Sequence, residues 1–128
     1  MILLDTSVLV EYFRTRQKEN SFFYVLSASH SSFAISVITH YEIYVGSNQD
    51  QDMFWKQLLA SLTLVPFTKE IADEAVLIRK ELLKKNKNTG FSDIAIAATA
   101  RVNNFEIATL NKKDFKIIEN LRLVSDAN

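Results

Sequence analysis

Residues 1–13 read MILLDTSVLVEYF, and this stretch decides the fold. The apolar run Ile2–Leu4 is short and ends at Asp5. Such a run is typical of a strand that is buried on both faces of a sheet. Four apolar residues that follow share one side of a helix: Val8, Leu9, Tyr12 and Phe13. We therefore predict a β-strand that is followed at once by a helix, with Thr6 and Ser7 as its capping residues.

The same alternation of a short apolar run and a helical pattern recurs along the chain. Further strands are predicted at 33–35, 62–66, 105–110 and, as the last strand, 117–118 with 121–124. Pro66 places the 62–66 strand at an edge of the sheet, because proline cannot donate a hydrogen bond to a central ladder.

Helical patterns lie between these runs. They are predicted at 22–29, from Ser36 or Thr39 through Glu42, at 53–62, from Thr68 to 85 and from Asp93 to Arg101. Short apolar runs that alternate with amphipathic helices predict an α/β fold, in which a parallel sheet is covered by helices on both faces.

The composition narrows the class of protein. A length of 128 residues argues for one domain, which we place at 1–128, and a 48% apolar content argues against disorder. The absence of cysteine excludes disulfide scaffolds, thiol nucleophiles and cysteine-ligated metals. Fifteen basic residues balance fifteen acidic ones, which argues against a nucleic-acid binder that relies on bulk positive charge.

Membrane and export signals are not evident in the sequence. No run of about 18 apolar residues occurs, so we expect no membrane-spanning segment. The N-terminus lacks the cationic start and cleavage site of a signal peptide, which favours a cytoplasmic protein.

Four acidic positions could meet at the edge of the sheet where ligands bind in parallel sheets. One ends the first predicted strand, one lies in the helix after the second, one opens the helix of small residues, and one follows the fourth predicted strand. These positions are Asp5, Glu42, Asp93 and Asp114, with Asn111 beside the last. Clustered carboxylates raise one another's pKa, so a cation is the natural reason to keep them together. Hard oxygen ligands without cysteine select Mg²⁺ or Mn²⁺ over zinc. The pattern therefore indicates a metal-dependent phosphodiesterase site.

Each acid also has an ordinary structural explanation, which the sequence leaves open. Asp5 can cap the first helix, and Glu42 follows Thr39 at the spacing of a capping box. Asp93 can interact with the dipole of its helix, and Asp114 suits an exposed turn.

Four segments resemble the four motifs of PIN-domain nucleases, in the family's order. They are Leu3–Leu9, Ser36–Ile43 with Gly46, Ser92–Ala100 and Ile107–Phe115. The nearest type is the VapC toxin of VapBC toxin–antitoxin pairs. The resemblance implies a three-layer α/β/α sandwich around a mostly parallel sheet of four or five strands.

The resemblance also implies an activity and partners. It implies an endoribonuclease that depends on Mg²⁺ or Mn²⁺ and cuts structured RNA, in a tRNA or ribosomal RNA loop. It implies a VapB-like antitoxin that blocks the site, and a homodimer.

Roles for individual residues follow by position in the motifs. The catalytic and metal-binding acids are Asp5, Glu42, Asp93 and, at the more variable position, Asp114. The supporting polar residues are Thr6, Ser36 and Asn111. We expect Asp5 and Asp93 to hold the cation directly. Glu42 and Asp114 are expected to bind it through water or to hold a second ion.

Basic residues near these motifs are candidates for RNA phosphate contacts, although each also suits a solvated helix end. They are Arg14, Lys85, Lys87, Lys112 and Lys113. His40 departs from the usual apolar or small residue of the second motif, and we interpret it as a core or surface residue. It is not expected to be a general base.

Two other classes of function stay open at this stage. A receiver-like signalling domain also combines a parallel sheet with an acidic Mg²⁺ pocket. A non-catalytic interaction domain could keep the acids for a partner protein.

Overall fold

The structure, a computed structural model, describes residues 1–125, and a five-stranded parallel sheet forms its centre. The strands are β1 (Ile2–Leu4), β2 (Phe33–Ser36), β3 (Thr63–Val65), β4 (Glu106–Ala108) and β5 (Arg122–Leu123). Their spatial order is β3-β2-β1-β4-β5, which makes β1 the central strand. Leu3 pairs in register with Ala34 on one side and with Ile107 on the other. The predicted parallel sheet is confirmed, with β3 at an edge.

Helices cover both faces of the sheet. They are α1 (Thr6–Arg14), α2 (Phe22–Ser27), α3 (Val37–Val45), α4 (Asp52–Ala60), α5 (Lys69–Lys84), α6 (Phe91–Asn103) and α7 (Lys112–Lys116). Successive strand residues point to opposite faces. Leu3 accordingly belongs to the core beneath α5 and α6, whereas Leu4 belongs to the core beneath α1 and α4. The three-layer α/β/α arrangement is confirmed.

Helix α5 matches its predicted pattern most closely. Thr68 Oγ1 accepts a hydrogen bond of 3.2 Å from the backbone N–H of Ile71 and so caps the helix. The buried residues Ile71, Ala75, Ile78 and Leu82 recur every three or four positions and so form one apolar stripe along the predicted helix. Because an apolar stripe of this kind must be buried, its spacing alone is enough to predict the helix.

Several elements near the strand ends differ from the prediction. Residues 117–118, predicted as part of the last strand, lie outside β5, which comprises only Arg122–Leu123. Asp5, and neither Thr6 nor Ser7, occupies the N-cap position of α1. Helix α6 begins at Phe91, two residues before Asp93. The segment around Asp114 is the short helix α7 rather than a turn, and five residues are too few to show a helical period in sequence.

Arg101 fastens α6 to α5 and so helps to hold the helix that carries Asp93. Its guanidinium lies 3.3 Å from a carboxylate oxygen of Glu74 and 3.5 Å from one of Glu81. The side chain of Arg101 is only 12% exposed, which makes this pairing less screened than a surface ion pair.

No helix within residues 1–125 is both long enough and apolar enough to cross a membrane.

Lys18 closes the C-terminal end of α1. Its ammonium group donates to the backbone carbonyls of Tyr12, Phe13 and Thr15 at 2.7–2.8 Å. The same group lies 5.1 Å from the centre of the Tyr12 ring and 5.5 Å from that of Phe54. One lysine therefore binds the open carbonyls of α1 and contacts an aromatic ring of α4.

We predict that Lys18→Met lowers the free energy of unfolding by about 1–3 kcal/mol, because charge-assisted hydrogen bonds to carbonyls and a cation–π contact are lost. Urea unfolding of the purified protein measures the change. Lys56→Met, at an exposed position of α4, is the matched control and should change stability by less than about 0.5 kcal/mol. Equal effects of the two substitutions would contradict the capping role of Lys18.

Candidate active site

Asp5 lies at the carboxyl end of the central strand and is only 4% exposed. Its backbone N–H donates to the carbonyl of Ala108 at 2.9 Å, which extends the pairing of β1 with β4. Its carboxylate oxygen Oδ2 accepts hydrogen bonds from Ser7 Oγ at 2.7 Å and Thr109 Oγ1 at 2.8 Å. The side chain makes no capping hydrogen bond to α1, so capping does not explain this aspartate.

The two hydroxyl groups also hold the segment that leads into α7. Ser7 Oγ accepts from the backbone N–H of Leu110 at 3.1 Å, and Thr109 Oγ1 accepts from that of Asn111 at 2.9 Å. Each hydroxyl thus donates to Asp5 and accepts from the chain just beyond β4. The position of that segment is set by the carboxylate of Asp5.

Glu42 is held at both of its carboxylate oxygens. Thr6 Oγ1 donates to Oε1 at 2.7 Å, and Ser92 Oγ donates to Oε2 at 2.8 Å. These donors stand in the first turns of α1 and α6, whereas Glu42 lies within α3. The glutamate therefore links three helices at the same edge of the sheet.

The capping-box explanation of Glu42 is wrong. Helix α3 is capped by Ser36, whose Oγ accepts from the backbone N–H of Ile38 at 3.0 Å. Thr39 lies inside the helix, is fully buried, and has its hydroxyl 3.1 Å from that of Thr6. The sequence could not separate Ser36 from Thr39 as a cap, because both precede apolar residues at suitable spacing.

Asp93 and Asp114 line one cavity of about 380 Å³. Asp93 stands in the first turn of α6 and Asp114 in α7. Burial, together with the negative charges of Asp5, Asp114 and Glu42, raises the pKa of Asp93 to about 6. Since each of the other three acids acts on Asp93 through space, the fold brings all four predicted acids together.

The donor set suits a hard divalent cation, because it consists of carboxylate oxygens that repel one another. Within residues 1–125, however, no three acidic or histidine side chains are gathered tightly enough to ligate a metal ion as they stand. Joint ligation would therefore require Asp93 and Asp114, which both line this cavity, to change position.

The basic candidates divide into two groups. Lys87 and Lys113 line the cavity of Asp93 and Asp114, and Arg14 lines a neighbouring cavity with Ser7 and Asn111. Lys85 instead lies 3.2 Å from a carboxylate oxygen of Glu119, which favours a structural role. Lys112 is half-buried in α7.

The remaining predicted residues have identifiable places. Ser36 is buried as the cap of α3, and Asn111 is exposed at the N-cap position of α7 without a side-chain capping bond. His40 is exposed, with its ring 4.8 Å from that of Tyr44. His40 is therefore a surface residue, which was one of the two predicted alternatives, core or surface.

Three hydroxyl residues of the site were not predicted: Ser7, Ser92 and Thr109. Thr109 follows β4, the neighbour of β1, so its place beside Asp5 could have been inferred once the strand order was known. Ser92 immediately precedes Asp93, and its contact with Glu42 had no signal in the sequence.

Comparison with known proteins supports a nuclease class of site on this fold. Residues 2–121 match the family model described as PIN domain. The ribonuclease VapC10 of Mycobacterium tuberculosis is 31% identical over 122 residues, which cover 95% of this chain and 91% of that protein.

Two solved structures share the fold along nearly the whole chain. A toxin–antitoxin complex from Klebsiella pneumoniae has a TM-score of 0.80 at 27% identity and covers 100% of this chain and 99% of that one. VapBC2 of Rickettsia felis, bound to a DNA fragment from its promoter, gives 0.80 at 27% identity, with 97% and 98% covered.

Acidic residues at one edge of the parallel sheet in an α/β/α sandwich define a nuclease class of site. The comparisons with known proteins then define the family. The chain belongs to the PIN-domain family, among the VapC ribonucleases.

We predict that, in the metal-free protein, Asp93 lowers the stability of the folded state by an amount that depends on pH. Because the pKa of this carboxyl is raised in the folded state, folding is favoured as pH falls from about 6 toward 3.8 and is opposed above that range. Asp93→Asn should therefore raise the melting temperature most at pH 7–8, and the gain should shrink toward pH 4. Thermal unfolding in EDTA across this pH range measures the difference.

Asp50→Asn, at an exposed position away from the acids, controls for the loss of one negative charge alone. A difference between the wild type and Asp93→Asn that stays constant with pH would show that the pKa of Asp93 is not raised in the folded protein.

Proposed function

We propose that this chain is the endoribonuclease toxin of a toxin–antitoxin pair and that it hydrolyses phosphodiester bonds in structured RNA with Mg²⁺ or Mn²⁺. The observation that carries the proposal is the convergence of four carboxylates on one sheet edge, where burial and then the charges of Asp5, Asp114 and Glu42 raise the pKa of Asp93 to about 6. Membership of the VapC ribonucleases supports the choice of RNA as substrate. We take residues 1–128 as one domain.

PIN-domain ribonucleases generally depend on a divalent metal, and the identity of the ion is our proposal. Asp5 and Asp93 would hold the cation directly, with Glu42 and Asp114 acting through water or on a second ion. When bound, such a cation supplies a water of lowered pKa and stabilises negative charge on phosphoryl oxygens.

The chain's own groups orient this site. Ser7 and Thr109 both bind Oδ2 of Asp5, so Oδ1 is the oxygen we assign to the cation. Glu42 already accepts one hydrogen bond at each oxygen, which favours a contact through water over direct ligation. The pKa of the Asp93 carboxyl group is raised to about 6 by burial and by the neighbouring negative charges, and a cation bound beside it would lower that pKa.

Phosphate binding would come from the basic residues that border the acids. Lys87 and Lys113 share the cavity of Asp93 and Asp114, and Arg14 borders Asp5 through the Ser7 cavity. A few such contacts position RNA without a positive net charge. Lys112 is retained as a weaker candidate on the same helix as Lys113.

The partner we propose is a VapB-like antitoxin that covers the acids, in line with the complexes formed by the two solved relatives. A homodimer of this chain is proposed on the family resemblance. Action on cellular RNA would place the protein in the cytoplasm. The receiver-like alternative is disfavoured by the ribonuclease relatives.

We predict that Asp5→Asn and Asp93→Asn each reduce RNA cleavage by about 100-fold or more, since several kcal/mol of metal-assisted stabilisation would be lost. Cleavage of total cellular RNA with Mg²⁺ or Mn²⁺, and with EDTA as the blank, measures the effect. Asp73→Asn, the same change in an exposed ion pair of α5, should retain activity. Full activity of Asp5→Asn would contradict the proposed metal-assisted mechanism.

We also predict that induced expression of the wild type arrests growth and that expression of Asp5→Asn does not. Co-expression of the neighbouring small open reading frame should restore growth, and growth curves provide the measurement. Harmless expression of a protein that is active in vitro would contradict the toxin role and leave the enzyme role intact.

A further inference from the structure

A small cavity lies beside Glu42, between α1, α3 and α4. Phe13 and Trp55 form apolar walls, while Arg14, Glu42 and Gln51 supply polar groups. Its volume is about 210 Å³, below the range of about 300–1,000 Å³ that is common for small-molecule sites. The cavity therefore suits one small flat group rather than a whole ligand.

Trp55 places an unpaired donor at this cavity. The residue is only 4% exposed, and within residues 1–125 its indole N–H has no hydrogen-bond partner. No fully buried side-chain nitrogen or oxygen in that part of the chain lacks a partner, so the indole N–H belongs to the small exposed part of Trp55. Because this N–H reaches solvent and has no acceptor within residues 1–125, it is available to donate to a ligand in the cavity.

Gln51 adds a second donor. Its side-chain oxygen accepts from the backbone N–H of Asn48 at 3.1 Å, in the capping box at the start of a short 3₁₀ turn. The amide oxygen is thereby used, and the amide NH₂ makes no hydrogen bond within residues 1–125. Trp55 and Gln51 thus present donors, and a matching ligand must offer acceptors.

Arg14 connects this cavity with the centre of the site. It lines the cavity of Trp55 and also the neighbouring cavity with Ser7 and Asn111. Within residues 1–125 its guanidinium makes no ion pair. A phosphate bound there would lie between a group in the small cavity and the acids around Asp5.

We propose that the cavity binds one unpaired nucleobase of the RNA, next to the scissile phosphate, and that it prefers guanine or uracil. Both bases present carbonyl oxygens, whereas cytosine and adenine present an amino group at the corresponding position. Proteins read unpaired RNA bases in this way, with aromatic walls and hydrogen bonds to the base edges. The inference rests on the proposed function and names a recognition subsite of the same active site.

A segment of a partner protein is the competing occupant, because peptide carbonyls also accept hydrogen bonds. The base is favoured because Glu42 forms one wall of the cavity, which places the occupant beside the acids. Arg14, which also lines the cavity, matches the phosphate that accompanies every nucleobase.

Trp55 is the single tryptophan of the sequence, so its fluorescence reports occupancy of this cavity directly. The probes are single-stranded hexaribonucleotides that differ at one central position, which is G, U, A or C. They are titrated in EDTA, where metal-dependent cleavage does not occur. We expect quenching at about fivefold lower concentration for G and U than for A and C, the effect of one hydrogen bond gained or lost.

Gln51→Glu tests the donor itself. The new carboxylate can still accept from Asn48, whereas the amide donor is lost, so the preference for G and U over A and C should fall at least about threefold. Gln57→Glu adds the same charge at an exposed position of α4 and should keep the preference. The readout is the ratio between probes, which a uniform loss of RNA affinity does not change.

Equal quenching by all four probes, an unchanged ratio in Gln51→Glu, or a response to the antitoxin but to no RNA would each overturn the proposal. Failure of the proposed function looks different, since selective quenching would persist while the wild type cleaves no RNA in Mg²⁺ or Mn²⁺.

Discussion

The carboxylate of Asp5 is the group on which the rest of the site depends. It is buried at the end of the central strand, where a charge is costly unless it is hydrogen-bonded. Two hydroxyl groups, from Ser7 and Thr109, meet this need, and both also accept from the backbone beyond β4. The same hydroxyl groups that bind the Asp5 carboxylate therefore also hold the chain that leads into α7, which carries Asp114.

Hydroxyl groups hold two of the acids at this edge, Asp5 and Glu42. Glu42 is bound by Thr6 and Ser92 in the same manner, while the ion pair of Arg101 with Glu74 lies between α5 and α6. A hydroxyl orients a carboxylate without cancelling its charge. The site therefore keeps the negative potential that a cation requires. Holding these charges together is unfavourable, and with burial it raises the pKa of Asp93. A net charge of zero for the chain thus averages over an acidic centre and the basic residues around it.

Much of the fold could be predicted because its signals are local. The stripe from Ile71 to Leu82 and the apolar run Ile2–Leu4 each identify an element by its own residues. Element ends were less certain. The start of α6 at Phe91 and the existence of α7 depend on one or two turns of helix, and a pattern so short has no measurable period.

The sequence by itself determined which acids were candidates, because Asp5, Glu42, Asp93 and Asp114 occupy the positions of the acids in the four motifs that resemble those of the PIN-domain family. Only the tertiary structure decided which groups serve those acids. Asp5 and Thr109 are 104 positions apart, and their hydrogen bond joins the ends of two strands that are neighbours only in the sheet. Ser92 reaches Glu42 across 50 positions for the same reason. Hydrogen bonds are short and directional, so their partners follow from strand order and helix placement, which no local pattern contains.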